Sequence, residues 1–261
     1  VSGGLEREEV LALLDRLERG EVRAAEPEGD GWRVNPDVKE GILRAFRLGV
    51  DIDVPAPPFA YRDRDTLPPR GVLPEGVRVV PGGSAIRRGA HVARGVVVMP
   101  PAYVNVGAFV DEGSMIDSHA LVGSCAQVGK RVHLSAAAQV GGVLEPVGAR
   151  PVVIEDDVFV GGGAGLYEGV RVRRRAVLAA GVILTGSSVL YDLVNEREIR
   201  GSGTEPLTVP GGAVVVPGSR PAPGSWARVR GLSISAAIVV KYRDEKTDAR
   251  TALEESLRRE R

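Results

Sequence analysis

The side chains able to do chemistry in this 261-residue chain are few. There is one cysteine, Cys125, and there are three histidines, His91, His119 and His133, at separations of 28 and 14. A zinc site of the hydrolyase kind needs three converging histidines, two of them close in sequence, and these spacings do not supply it. No metal is expected. Cys125 sits between Ser124 and Ala126 with no histidine beside it in sequence to take its proton, so it reads as a quiet, packed thiol and not a covalent nucleophile. Asp111 and Asp117 lie one six-residue step apart, and a carboxylate at an exposed edge can hold an ammonium ion or accept a proton. Arg171, Arg173, Arg174 and Arg175 form a local basic run, suited either to a phosphate or to outward-facing ion pairs.

What must position these residues shows as a period of six. An aliphatic residue recurs at Val80, Ile86, Val92, Val98, Val104, Val110, Ile116, Val122, Val128, Leu134 and Val140. Four residues after each stands a small or β-branched side chain, from Ser84 and Ala90 through Ala126 and Val132 to Ala138. The period slips by two and resumes at Ile154, Val160, Leu166, Val172, Leu178 and Leu184. A helix repeats every 3.6 residues and an ordinary strand every 2, so a strict six is neither. It predicts a solenoid in which each hexad is a short strand and a turn, and three hexads close one coil. The large aliphatic points inward, and the small residue sits where a larger one would not fit. This is an all-β solenoid, the left-handed parallel β-helix of hexapeptide repeats, an exception to the right-handed crossover rule. The low aromatic content, 4%, and the 34 glycines fit a core of many small repeated units. His91 and His133 share a hexad position but lie seven hexads apart, hence on different faces. Asp111 and Asp117 each follow an inward aliphatic and so point outward.

The flanks differ. Residues 1–70 read as a small N-terminal helical domain and linker, with Leu5, Val10, Leu13, Leu14 and Leu17 in one helical stretch and Val38, Ile42, Leu43 and Phe46 in another. Pro55, Pro57, Pro58, Pro68 and Pro69 mark the linker. Residues 71–232 form the β-helix, interrupted by loops near 145–152 and 190–207. Residues 233–261 end the chain as a strand, Ser233–Tyr242, and a short amphipathic helix, Thr247–Arg261, the cap an open solenoid edge needs. Trp32 and Trp226 fall outside the coils and are expected to anchor packing. Lys+Arg equals Asp+Glu at 34 each, which argues against a nucleic-acid groove and a polybasic membrane anchor. One cysteine, no leader pattern and no run of 18 apolar residues point to a reducing, cytoplasmic setting. The start at Val1 suggests that native sequence precedes it.

The segment Tyr103–Lys130, YVNVGAFVDEGSMIDSHALVGSCAQVGK, with VHLS at 132–135 and GGVLEP at 141–146, closely resembles the tetrahydrodipicolinate N-succinyltransferase family. ALLDRLERGEVRAAE, GILRAFRLG, RVVP at 78–81, IEDDVFVG at 154–161, AVVVPG at 213–218 and AAIVVK at 236–241 resemble its other blocks, so the likeness covers most of the chain. The resemblance implies transfer of succinyl from succinyl-CoA, a co-substrate, to the amino group of L-2-amino-6-oxopimelate in lysine and diaminopimelate biosynthesis. It implies a homotrimer with sites between neighbouring prisms and a CoA arm along a groove there. By motif, Arg78 and Asp117 are its substrate-binding residues, a guanidinium offering a bidentate fork to a carboxylate of the small dicarboxylate substrate. Asp117 is the expected catalytic acceptor of the amine's proton. Gly142 is a candidate backbone donor to the thioester oxygen, and Lys241 a candidate for the CoA phosphates.

The chain departs from the family at two places. His119 stands where better-known members have Trp, and GGGAGLYEG at 161–169 replaces G-A-R-S-E-V-V-E-G. Gly165 thus takes the place of the family's first Glu and Gly163 that of its Arg, leaving Glu168 as the matching acid. Glu168 or His119 would take over proton handling, or Asp117 would act alone. The lost arginine also opens the acyl donor to acetyl-CoA, as in a tetrahydrodipicolinate N-acetyltransferase. A trimeric β-helix that binds a partner without catalysis is the non-enzyme alternative.

Overall fold

The protein is seen here as a computed structural model that describes residues 2–56, 59–203 and 205–244. From Arg78 onward, two-residue strands follow one another round three faces. Face I begins with Arg78–Val79, Val97–Val98 and Met115–Ile116. Face II begins with Ala85–Ile86, Tyr103–Val104 and Leu121–Val122, and face III with His91–Val92, Phe109–Val110 and Gln127–Val128. Each strand pairs in parallel with the strand one coil before and one coil after, so Ile116 is flanked by Val98 and Leu134. Hexapeptide repeats stacked into three parallel sheets are consistent with a left-handed β-helix.

The inward aliphatics and their small partners form one continuous core from Ile86 to Val239. Ile116, Leu134, Ile154, Leu166 and Leu178 have no exposed surface. The first turn corrects the sequence reading by one residue. Val79, not Val80, shares the rung of Val98, so the turn through Gly82 and Gly83 holds an extra residue. Two adjacent valines look alike to a periodicity argument. His91 and His133 do lie on different faces, III and I.

The N-terminal segment holds helices α1 (Ser2–Glu18) and α2 (Pro36–Leu48). It also holds two antiparallel hairpins, Ala25–Glu28 with Gly31–Val34 and Asp51–Ala56 with Phe59–Arg64. The stretch read as a proline-marked linker is therefore partly a two-stranded sheet, where every strand is an edge and a proline costs little. Val10, Leu14, Leu17, Val38 and Ile42 pack with Val106 and Cys125 of the solenoid in a second core. Gly107, at φ +73, is where the two units touch: a Cβ there would stand 2.7 Å from Ile42 Cδ1.

The 145–152 interruption is an excursion between Val140 and Val153. The 190–207 interruption is not a plain loop. Val189–Asp192 pairs with Arg197–Arg200, and its first strand joins Ser233–Tyr242 in parallel. That last strand, found where the alternation placed it, closes face I as a hairpin with Ala213–Pro221. Asp192 is buried at the junction and accepts hydrogen bonds from Tyr242 Oη at 2.8 Å and Asn195 Nδ2 at 2.8 Å. Burial alone would raise its pKa, but these donors and Arg197 outweigh it and hold the carboxyl down at about 2. A five-residue helix, α3 (Ser225–Val229), sits at the hairpin tip. Trp226 there is 63% exposed with Arg230 stacked on its ring, so it does not anchor packing. The expected helix Thr247–Arg261 lies outside the described residues.

Candidate active site

Asp117 follows Ile116 at the edge where face I turns into face II. The turn is built on the carboxylate itself: Oδ1 accepts the N–H of Ser118 at 2.7 Å. His119 then adopts φ +62 and donates its N–H to the carbonyl of Pro101. The other carboxylate oxygen has no hydrogen bond among the described residues, and the side chain is half-buried. Arg78 is exposed at the start of face I, two rungs before Asp117 and so about 10 Å away along the axis. Asp111 is on a different edge, between faces III and I, where its Oδ1 accepts the N–H of Glu112.

The I/II edge continues past Asp117 through Ser135, Gly161 and Ala179. Beyond Gly181 it opens into a cavity of about 490 Å³ lined by Ile183, Ser187, Gly218, Arg220 and Ser235. From the rung of Ile116 to that of Val215 there are four steps, through Leu134, Val160 and Leu178. Four steps span about 19 Å. Arg220, half-buried in the cavity wall, makes no ion pair among the described residues. Lys241 is on the other strand of the hairpin, 3.0 Å from Asp244. Its neighbour Arg243 donates to the carbonyl of Asp157 at the III/I edge, so Lys241 is far from the Asp117 edge.

Gly142 and Glu168 meet on adjacent rungs at the II/III edge, across face II from Asp117. They line a cavity of about 960 Å³ between the two excursions, with Tyr167, Arg150, Thr185 and Glu205. Arg150 and Glu205 face each other at 3.9 Å across it, one from each excursion. Glu168 is exposed, and its Oε2 accepts the N–H of Gly186 at 3.1 Å. Gly142 is glycine for a local reason as well, because a Cβ there would stand 2.7 Å from the backbone nitrogen of Ser124. Behind the cavity wall, Lys39 of α2 is fully buried and donates to the carbonyl of Ala149, and burial lowers its pKa. Sequence reasoning missed Tyr167, Arg150, Arg220 and Lys39. Arg150 stands on an excursion, Arg220 on the terminal hairpin, Lys39 on α2 and Tyr167 against two glycines, and none of these placements leaves a mark in a hexad pattern.

Other expectations find plain places. Cys125 is fully buried in the second core, and burial pushes its thiol up to about 12, which leaves it a thiol. Arg171 pairs with Glu155 and Arg173 with Asp30 of the first hairpin, so these two members of the basic run are spent on ion pairs within the chain. Among the described residues no cluster of three metal-ligating side chains forms, and no helix is long and apolar enough to cross a membrane.

Comparison with known proteins follows the same division. Residues 2–48 match the tetrahydrodipicolinate N-succinyltransferase N-terminal model, and residues 151–186 match the hexapeptide repeat of succinyl-transferase. The 2,3,4,5-tetrahydropyridine-2,6-dicarboxylate N-succinyltransferase of Afipia carboxidovorans is 41% identical over 260 residues, covering 97% of this chain and 90% of that protein. The same-named protein of Granulibacter bethesdensis is 45% identical, covering 96% and 88%. A solved structure from Campylobacter jejuni, assigned as a 2,3,4,5-tetrahydropyridine-2-carboxylate N-succinyltransferase, superposes with a TM-score of 0.51 at 17% identity. It covers 88% of this chain and 62% of that one, and its likeness speaks for the fold alone. Identity of this depth over nearly the whole length means that the chain belongs to the tetrahydropyridine-2,6-dicarboxylate N-succinyltransferase family.

Proposed function

We propose that the chain transfers succinyl from succinyl-CoA to the amino group of L-2-amino-6-oxopimelate, in a cytoplasmic step of lysine and diaminopimelate biosynthesis. The observation that carries this reading is the identity of 41–45% to relatives of that name over almost the entire chain. The geometry supports it. On a left-handed β-helix, the I/II edge from Asp117 to the Arg220 cavity is about 19 Å long, the scale of an extended pantetheine arm. The thioester end lies at Asp117 and the phosphates at the hairpin. Arg220 lines that cavity, and Lys241 would reach the phosphates only from the far side of the hairpin.

The acceptor amine arrives protonated. The free oxygen of Asp117 holds the ammonium and takes one proton from it, which frees the nitrogen lone pair to attack the thioester carbon. A backbone N–H such as that of Gly142 steadies the oxyanion; as the carbon–sulfur bond breaks, Glu168 takes the nitrogen's second proton and passes it to sulfur, and CoA leaves as a thiol. Arg78 receives a substrate carboxylate. Gly142 and Glu168 lie across face II from the Asp117 of their own chain, so a site using all three needs a second copy. Face II offers it an outward ladder of Tyr103, Leu121 and Ile183, the last 53% exposed. A closed homotrimer satisfies this with three equivalent heterologous contacts.

The test is thiol release from succinyl-CoA or acetyl-CoA with 2-aminopimelate as a stable acceptor. Turnover with succinyl-CoA supports the reading, turnover with acetyl-CoA alone moves the donor, and none with either removes acyl transfer. Mixing inactive Asp117→Asn and Glu168→Gln chains would restore activity if the site is shared, and leave it absent if each chain is self-contained.

A further inference from the structure

On face II, Gly165 leaves a gap in the outward ladder between Gln139 and Ile183, Gly141 leaves another in the next column at the II/III edge, and one side chain covers both. A Cβ at Gly141 would stand 2.6 Å from Tyr167 Cδ1. A Cβ at Gly165 would stand 2.6 Å from Tyr167 Cε2 and 2.9 Å from its hydroxyl oxygen. The phenol therefore lies across the two positions that lack a side chain and brings its hydroxyl to where a residue-165 side chain would begin. The ring is half-buried and lines the 960 Å³ cavity. Its hydroxyl has no hydrogen-bond partner among the described residues, although a tyrosine held this way ordinarily finds one. The one cation among the described residues lining the cavity, Arg150, is held by Glu205 at 3.9 Å, so a carboxylate entering the cavity must find its hydrogen bond from a neutral group, and this hydroxyl is unspent.

We propose that Tyr167 positions the acceptor substrate by donating its phenolic hydrogen to one of the acceptor's carboxylates. This rests on the acyl-transfer reading, with face II of one copy closing the site that Asp117 of the next supplies. Gly165 and Gly141 are then the floor that lets the ring lie down, and the rigid coil fixes the hydroxyl without a hydrogen bond of its own.

The experiment is steady-state kinetics of wild type, Tyr167→Phe and Gly165→Ala with 2-aminopimelate and succinyl-CoA. Removing the hydroxyl is expected to raise KM for 2-aminopimelate about tenfold, the worth of one hydrogen bond to a charged group, while kcat, KM for succinyl-CoA and the melting temperature hold. Gly165→Ala displaces the ring and is expected to raise the same KM, with the double variant no worse than the worse single. An unchanged KM in Tyr167→Phe beside an active wild type overturns this proposal alone, as does a fall in melting temperature without a kinetic effect. An inactive wild type overturns the acyl-transfer reading on which it rests.

Discussion

Faces II and III are built from the same hexads, with the same inward Val, Ile and Leu, yet their outer surfaces are opposites. Every outward residue along the upper part of face III is engaged by the N-terminal segment. His91 Nδ1 lies 2.8 Å from the carbonyl of Glu18 and its ring stacks on Phe109 at 4.4 Å. The guanidinium of Arg23 sits 3.6 Å over the Phe109 ring, and its Nε donates to Gln127 Oε1 at 2.9 Å. Face II bears Tyr103, Leu121 and Ile183 outward, with no such cover from the described part of its own chain. The comparison separates two jobs. The inside of a β-helix fixes shape, while what lies on each outer face decides whether that face serves the chain's own stability or its chemistry and assembly.

The largest expected effect lies on the open side. Asp117→Asn removes the proposed proton acceptor but keeps an oxygen to cap Ser118, so the turn survives. Activity should fall about 10²–10⁴-fold with the melting temperature unchanged. A stability loss as large as the activity loss would make Asp117 a structural residue. The next strains the open face itself. Leu121→Arg places a charge where a neighbouring copy would have to bury it unpaired, a penalty of about 3 kcal/mol or more at each contact. Sedimentation should show the assembly dissociating and activity lost with it. An intact oligomer would move the interface off face II.

The covered side should respond the other way round. Arg23→Ala strips the ring contact on Phe109 and leaves Gln127 Oε1 without its donor inside a buried junction, at a cost of about 2–3 kcal/mol. Denaturant unfolding should show that loss, with kcat retained at 25 °C. A variant that stays stable but loses activity would erase the distinction between the faces.

How much of this could be read in the sequence follows from which contacts are local. The hexad core was legible because each coil repeats the same steric demand. The place of Asp117, one after an inward Ile116, was legible for the same reason. The first rung was misplaced because Val79 and Val80 are interchangeable in such a pattern. Pro55 pointed to a linker, yet it stands in a two-stranded ribbon where its missing N–H goes unnoticed. The large cavity arises where residues near 145–150 meet residues near 202–206, and a pairing between distant excursions leaves no periodic trace. Tyr167 shows in sequence as an ordinary outward residue, and only its glycine floor reveals its position.

The smallest effect concerns the price of the covered side. Lys39 is fully buried between α2 and the solenoid, and its ammonium has one hydrogen bond among the described residues, to the carbonyl of Ala149. A charge buried with no carboxylate is costly, and a hydrophobic side chain of similar length removes that cost while exposing one carbonyl to loss of its donor. Lys39→Met should therefore raise stability by about 1 kcal/mol at neutral pH, while amide exchange near Ala149 quickens. The pH dependence gives the sign independently. Because burial holds the folded pKa of Lys39 below its ordinary value, the unfolded chain binds more protons between the two values. Stability of the parent thus rises with pH across that alkaline window. The advantage of Lys39→Met should shrink there and stay constant below it. A gap that widened with pH would mean that the ammonium is favourably solvated where it lies, and that the cover over face III carries no such penalty.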